Sequence, residues 1–282
     1  MNPVRLTVEP VPTWLDAARL LAPASLSACE RVPLDATHER LVLSLPATQA
    51  ADLAARLRGL GLDGAPLSVT SEPPLSRGLV REARLRDARL RRETTPGFLR
   101  PGARATGEGR FSLTPEALAV ELGQLARAAG ALHVLDACCG SGGNAIGFAR
   151  AGCTVTAVEL DGPRLSEARH NAALYGVQRG IEFVHADARQ VVPTRTADLL
   201  FIDPPWGEQY DKRASGRGDV PLLAELLPVQ RAAYPQVWLK LPGSFRLASS
   251  AGLLERASAS AWFGTAKGDA QRIKFVLLQQ GV

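Results

Sequence analysis

Downstream of residue 130 the apolar positions fall into short, nearly continuous runs separated by stretches of helical spacing. The runs are Val134-Leu135-Asp136, Thr154 to Glu159, Ile181 to Val184, Asp198 to Asp203 and Gln236 to Leu241. Runs of this length, rich in Val, Ile and Leu, predict strands buried on both faces, with the intervening segments as crossover helices. One such helix is predicted from Asp161 through Tyr175, and others over Pro221 to Ala233 and Leu247 to Arg256. Ser258 to Phe263 and Arg272 to Gln279 predict a closing hairpin, which completes a seven-stranded, doubly wound α/β sheet with an antiparallel edge hairpin.

Residues 1–76 predict a small α+β unit. Its strands are Val4 to Val8 and Leu41 to Leu45, with a third near Pro66 to Thr70, and its helices are Trp14 to Leu21 and Thr48 to Leu60. Residues 77–110 read as a basic helix followed by a Gly/Pro-rich loop, and residues 111–282 as the main α/β domain. That domain opens with a helix for which Thr114 is a suitable N-cap, Pro115 a first-turn residue and Glu116 a favourable first-turn charge.

The strand ends carry the candidate chemistry. Val134 to Asp136 runs into Ala137-Cys138-Cys139-Gly140-Ser141-Gly142-Gly143-Asn144. This is a strand, glycine turn and helix that presents backbone N–H groups to a nucleotide-like ligand at the carboxyl end of the sheet. Glu159 ends the second run, about where an acid meets ribose hydroxyls in a nucleotide-binding βαβ unit. Asp187 ends the third, and Asp203-Pro204-Pro205-Trp206 ends the fourth. Four successive strands ending in such elements form the pattern of an S-adenosylmethionine-dependent methyltransferase rather than of a dinucleotide oxidoreductase.

Composition narrows the setting. No apolar run approaches bilayer length and the first residues lack a basic-then-apolar signal segment, so a cytoplasmic protein is expected. Cys29, Cys138, Cys139 and Cys153 show neither zinc spacing nor a disulfide framework, and no metal is expected. Arginine greatly outnumbers lysine, which suggests a GC-rich, bacterial genome. Between Arg77 and Arg110, ten arginines stand against four acids, a local surplus larger than the whole chain's net charge of +5. Such a stretch suits a phosphate backbone; a solvated helix laced with Arg–Glu pairs is the alternative.

Asp203 and the Pro204 carbonyl can accept hydrogen bonds from an exocyclic nucleobase amine and direct its lone pair at a methyl group. The two prolines fix that backbone. Trp206 can stack on the base, worth about 1–3 kcal/mol.

Phe111-Ser112-Leu113-Thr114-Pro115-Glu116, the Asp136 to Asn144 turn, Arg169-His170-Asn171-Ala172-Ala173-Leu174-Tyr175-Gly176 and Asp203-Pro204-Pro205-Trp206-Gly207 resemble the signatures of the trimethylguanosine synthase (RNA cap guanine-N2 methyltransferase) family. The resemblance implies a Rossmann-like class I methyltransferase fold, S-adenosylmethionine as methyl donor and a guanine amine in RNA as acceptor. Carried over by position, Phe111, Thr114, Asp136, Gly140, Gly142, Glu159 and Asp187 would line the donor site. Asp203, Pro204 and Trp206 would hold the acceptor, and Asn144 would order the turn. The family often has Ser or Asn where Asp203 stands, Glu208 would repel a cap triphosphate, and Gly243-Ser244 stands where a basic residue is usual. With a bacterial chain, tRNA or rRNA is therefore the expected substrate rather than capped RNA. Adenine-N6 transfer on RNA or DNA, or a non-catalytic RNA-binding role, are the alternatives.

Overall fold

The computed structural model describes residues 3–22, 24, 29–107, 113–205, 220, 222–223, 225–226, 234–247 and 257–281. The main sheet has seven strands: β7 (His133–Asp136), β8 (Thr154–Glu159), β9 (Ile181–His185), β10 (Leu199–Ile202), β11 (Gln236–Leu241), β12 (Ala257–Phe263) and β13 (Ile273–Gln280). Their spatial order is β12-β13-β11-β10-β7-β8-β9. The five from β11 to β9 run parallel, while β13 is antiparallel to β11 on one side and to β12 on the other. This is the class I methyltransferase sheet.

The sequence builds it through its burial pattern. All residues of β10 and β11 are buried, as continuous apolar strands covered on both faces should be. One face packs Phe201, Trp238 and Phe275 against helices α4 (Glu116–Ala128), α5 (Gly143–Arg150), which contributes Phe148, and α6 (Gly162–Leu174). The other packs Leu200, Ile202, Leu239 and Leu278 with Val191 of α7 (Ala188–Val191) and Tyr234. Helices α4 and α5 cross very closely: a Cβ on Gly147 would stand 2.1 Å from the Ala119 carbonyl oxygen, and one on Gly123 would stand 2.3 Å from that of Gly147. Glycine is required at both positions.

The amino-terminal unit is a four-stranded antiparallel sheet, ordered β2-β3-β1-β6, of β1 (Val4–Pro12), β2 (Cys29–Pro33), β3 (His38–Leu45) and β6 (Ser68–Glu72). Helices α1 (Ala17–Leu21) and α2 (Ala47–Leu57) belong to it, as does a two-stranded ribbon of β4 (Gly61–Leu62) and β5 (Ala65–Pro66). Edge strand β2 is an element the sequence did not announce, because Cys29-Glu30-Arg31-Val32-Pro33 has no apolar alternation and is mostly exposed. Helix α3 (Arg77–Leu90) lays Ala83 against Ala51 and Ala55 of α2.

This unit docks on the edge hairpin. Phe263 of β12 is buried in its core and lies under the Arg19 guanidinium, 4.9 Å from it. Asp63 accepts from the Leu247 N–H at 2.5 Å, and the Gly64 N–H donates to the Ser244 carbonyl at 2.9 Å. Among the described residues no helix is long and apolar enough to cross a membrane.

Candidate active site

Three adjacent strands bring their last residues together. Phe201 pairs with Asp136 and Ile202 with Leu239, so Asp136, Asp203 and Lys240 lie side by side at the carboxyl ends of β7, β10 and β11. Asp136 is fully buried and neither of its carboxylate oxygens has a hydrogen-bond partner among the described residues. Burial first, and then the neighbouring Asp203, pushes its pKa up to about 8. Asp203 behaves differently. Its Oδ2 accepts from the Lys240 ammonium at 2.5 Å and from the Asn144 amide at 3.0 Å. Burial raises its pKa, and these two contacts pull it back. Oδ1 takes no hydrogen bond from the described residues. Pro204 is buried behind it and Pro205 is exposed.

The glycine turn lies on the same rim. Gly140 and Gly142 have φ of 53° and 91°, left-handed values that glycine adopts without penalty. A Cβ on Gly142 would meet the Ala168 Cα at 3.1 Å, whereas Gly140 faces open space. Glu159, at the end of β8, braces this turn: its carboxylate accepts from the Gly140 N–H and from the Asp161 N–H, each at 2.8 Å. Two side chains of α6 hold the turn from behind. Asn171 donates to the Ser141 and Arg104 carbonyls and accepts from the Arg104 N–H. Glu167 accepts from the Ser141 hydroxyl at 2.7 Å and from Thr106.

Thr114 departs from expectation. Pro115, not Thr114, occupies the N-cap of α4 and no side chain caps the helix there. The Glu116 N–H is satisfied instead by the Gly97 carbonyl at 2.7 Å. The Thr114 hydroxyl is therefore buried and without a partner among the described residues, and its carbonyl oxygen lies 3.6 Å from where a Cβ of Gly143 would be. Asn144 also differs from its expected role. Rather than ordering its own turn, it reaches from α5 to Asp203. Asp187 caps α7 and is engaged by Arg189, the closest contact being 2.6 Å, so any ligand at Asp187 must share its carboxylate with that guanidinium. Phe111, Trp206, Glu208, the 207–219 loop and most of the helix expected over 221–233 lie outside the described residues, as does the helix expected to 256 beyond Leu247.

The residues fit a cationic nucleoside ligand. Asp136 lies beside Asp203, which is paired with the buried Lys240 ammonium, Glu159 braces the glycine turn, and Asp136 and Thr114 present polar atoms without partners among the described residues beside that cradle. Burying carboxylates without compensation is costly, and a positively charged ligand would supply what Lys240 alone does not. Lys240 and Glu167 are residues of this candidate site that motif reading missed, and Asn171 stood in a quoted motif without an assigned role. A lysine inside an otherwise apolar strand was the available signal for the first, since buried cations are found paired. The cysteines of the turn are not poised as nucleophiles: burial, followed by Asp136, raises the thiol pKa of both Cys138 and Cys139. Among the described residues no group of His, Cys, Asp or Glu could hold a metal ion.

Residues 131–215 match a family model described as RNA cap guanine-N2 methyltransferase. The chain is 31% identical over 104 residues to the trimethylguanosine synthase of Schizosaccharomyces pombe, covering 34% of this chain and 43% of that protein. It is 33% identical over 109 residues to the trimethylguanosine synthase of Saccharomyces cerevisiae, covering 36% and 35%. The chain thus spans less than half the length of these curated relatives. A solved S-adenosylmethionine-dependent methyltransferase from Agrobacterium tumefaciens is similar at 18% identity with a TM-score of 0.44, over 63% of this chain and 66% of that one. The sheet is that of a class I methyltransferase, and the segment that forms most of its functional rim resembles the RNA cap guanine-N2 methyltransferases.

Proposed function

We propose that the protein methylates the exocyclic N2 amine of a guanine in RNA, with tRNA or rRNA as the substrate class and S-adenosylmethionine as the donor. The observation that carries this reading is Asp203. It stands at the end of β10 with Oδ2 fixed by Lys240 and Asn144, and Oδ1 is left to accept from an incoming amine beside the glycine cradle.

Bound at Asp136, Thr114 and Gly140, the donor would supply an electrophilic methyl group on a sulfonium. The protein's part is to position the acceptor. A nucleobase amine delocalises its lone pair into the ring, and accepting its N–H bonds at Asp203 Oδ1 and the Pro204 carbonyl turns that lone pair outward. As the new N–C bond formed, the sulfonium S–C bond would break and its electron pair would leave with the neutral thioether S-adenosylhomocysteine, while the amine's surplus proton can pass to Asp203 or to water. Fixing two reactants in attack geometry can contribute roughly 7–11 kcal/mol. Guanine suits this arrangement because its Watson–Crick edge offers N1–H beside the N2 amine, two donors facing an acceptor-only carboxylate. Adenine places a lone pair at N1 next to its amine. The aspartate itself, where the related enzymes often have Ser or Asn, keeps adenine-N6 transfer as the second reading.

The test is transfer of labelled methyl from S-adenosylmethionine to bulk bacterial tRNA and rRNA, followed by nucleoside mass spectrometry. Labelled N2-methylguanosine that disappears with Asp203→Ala supports the reading. Label in N6-methyladenosine alone replaces it with the second, and no label in any RNA removes the first and confines the second to DNA.

A further inference from the structure

The nine described arginines between residues 77 and 104 do not form one uniform patch; the fold sorts them. Arg86 pairs with Asp52 of α2 at 2.8 Å and Arg91 with Asp87 at 2.8 Å, so both help to fasten α3. Arg100 donates to the Leu174 carbonyl and lies over the Tyr175 ring. By contrast Arg77, Arg81, Arg84, Arg89 and Arg92 are exposed and make no ion pair with the described residues. At 3.6 residues per turn, Arg77, Arg81, Arg84 and Ala88 share one narrow stripe, opposite the Ala83 side that packs on α2. No acid lies on that stripe: Asp87 faces Arg272 and Arg91, and Glu82 sits beside Arg86 at 3.8 Å.

The helix also has a fixed position relative to the rim. Leu241 pairs with Val276 in antiparallel register, so the loop joining β12 to β13 projects past the same strand ends as Asp203. That loop holds the end of α3. The Gly268 N–H donates to the Glu93 carbonyl at 2.9 Å, and Arg272 pairs with Asp87. A Cβ on Gly268 would stand 1.9 Å from the Leu90 carbonyl oxygen.

We propose that the Arg77–Arg81–Arg84 face of α3, continued by Arg92, is the RNA-backbone contact that delivers substrate to the rim. The assignment rests on the RNA reading above and adds to it which arginines touch phosphate and which do not. An acid-free run of three arginines, about 10 Å long from Arg77 to Arg84, on a helix whose far end is held at the rim, complements the phosphates of a strand entering the candidate acceptor site.

The experiment measures binding of a fluorescent single-stranded 20-mer RNA across a salt series, for wild type, the triple variant Arg77→Gln/Arg81→Gln/Arg84→Gln and the control Arg86→Gln. Loss of three phosphate contacts should reduce the salt slope by about 2, at roughly 0.7 per contact for a single strand, and weaken binding roughly tenfold or more. The control should keep the wild-type slope. Donor affinity, measured by calorimetry with S-adenosylmethionine, should be the same in all three. Wild-type RNA binding with an unchanged triple variant overturns the surface and leaves the methyl-transfer reading standing. No RNA binding by wild type overturns both. If the triple substitution alters binding to phosphatidylserine vesicles but not to RNA, the face belongs to a membrane and the proposal fails.

Discussion

Asp136 and Asp203 are chemically identical and one strand apart, yet the fold treats them differently. Lys240 and Asn144 stabilise the ionised form of Asp203, while burial and then the neighbouring Asp203 push the pKa of Asp136 up to about 8. In the ligand-free protein that raised value means stability is lost as pH climbs from the unfolded carboxylate range towards 8. Asp136→Asn should therefore raise the melting temperature at pH 8 and change it little at pH 4, while weakening donor binding; equal effects at both pH values would contradict the orphaned carboxylate. Lys240→Met should slow methyl transfer at least tenfold and move the acid limb of the single-turnover pH profile upward, since Asp203 would lose the cation that favours its charged form. An unmoved limb would mean that Asp203 acts without its lysine. Asp136, Gly140 and Asp203 could be read from sequence because they sit in a fixed order at strand ends. Lys240 showed only as a cation in an apolar strand, and its partner was hidden because the contact depends on β11 lying beside β10, a pairing between residues far apart in the chain.

The elements that were legible are those whose burial leaves a local trace. Strands β7, β8, β10 and β11 are covered on both faces and announce themselves as apolar runs, and α6 begins where expected, with Asp161 capping the Arg164 N–H at 2.8 Å and Pro163 in the first turn. What failed depended on tertiary contact. Edge strand β2 exists because β3 offers it a partner, and α4 begins one residue late because the Gly97 carbonyl takes the Glu116 N–H. The crossing of α4 and α5 was equally hidden, since a glycine within a helix signals only a weakness. Gly147→Ala would drive a methyl into the Ala119 carbonyl, backbone that cannot step aside. It should cost about 1–3 kcal/mol, seen as a lower denaturation midpoint, and should loosen the donor cradle at the head of α5. A midpoint within error of wild type would show that the helices can separate freely.

On the scale of the whole molecule, a buried knot joins the basic segment to the sheet. Asp269 accepts from the Thr95 N–H and hydroxyl, each at 2.7 Å, and pairs with Lys274 at 2.5 Å. Burial alone would raise its pKa, but these contacts hold it below the usual carboxylate range, so its contribution is present above about pH 4 and fades on acidification. Asp269→Ala should destabilise by about 3–5 kcal/mol, the cost of stranding a buried partner, and should speed trypsin cleavage after Arg92. Unchanged cleavage would mean that the segment is held elsewhere. The same knot has a consequence for synthesis on the ribosome. Asp87 and Thr95 emerge early, but their partners Arg272 and Asp269 are translated more than 170 residues later. The nascent α3 can therefore coil and pack on α2, yet it cannot be aimed at the catalytic rim until the final hairpin has emerged.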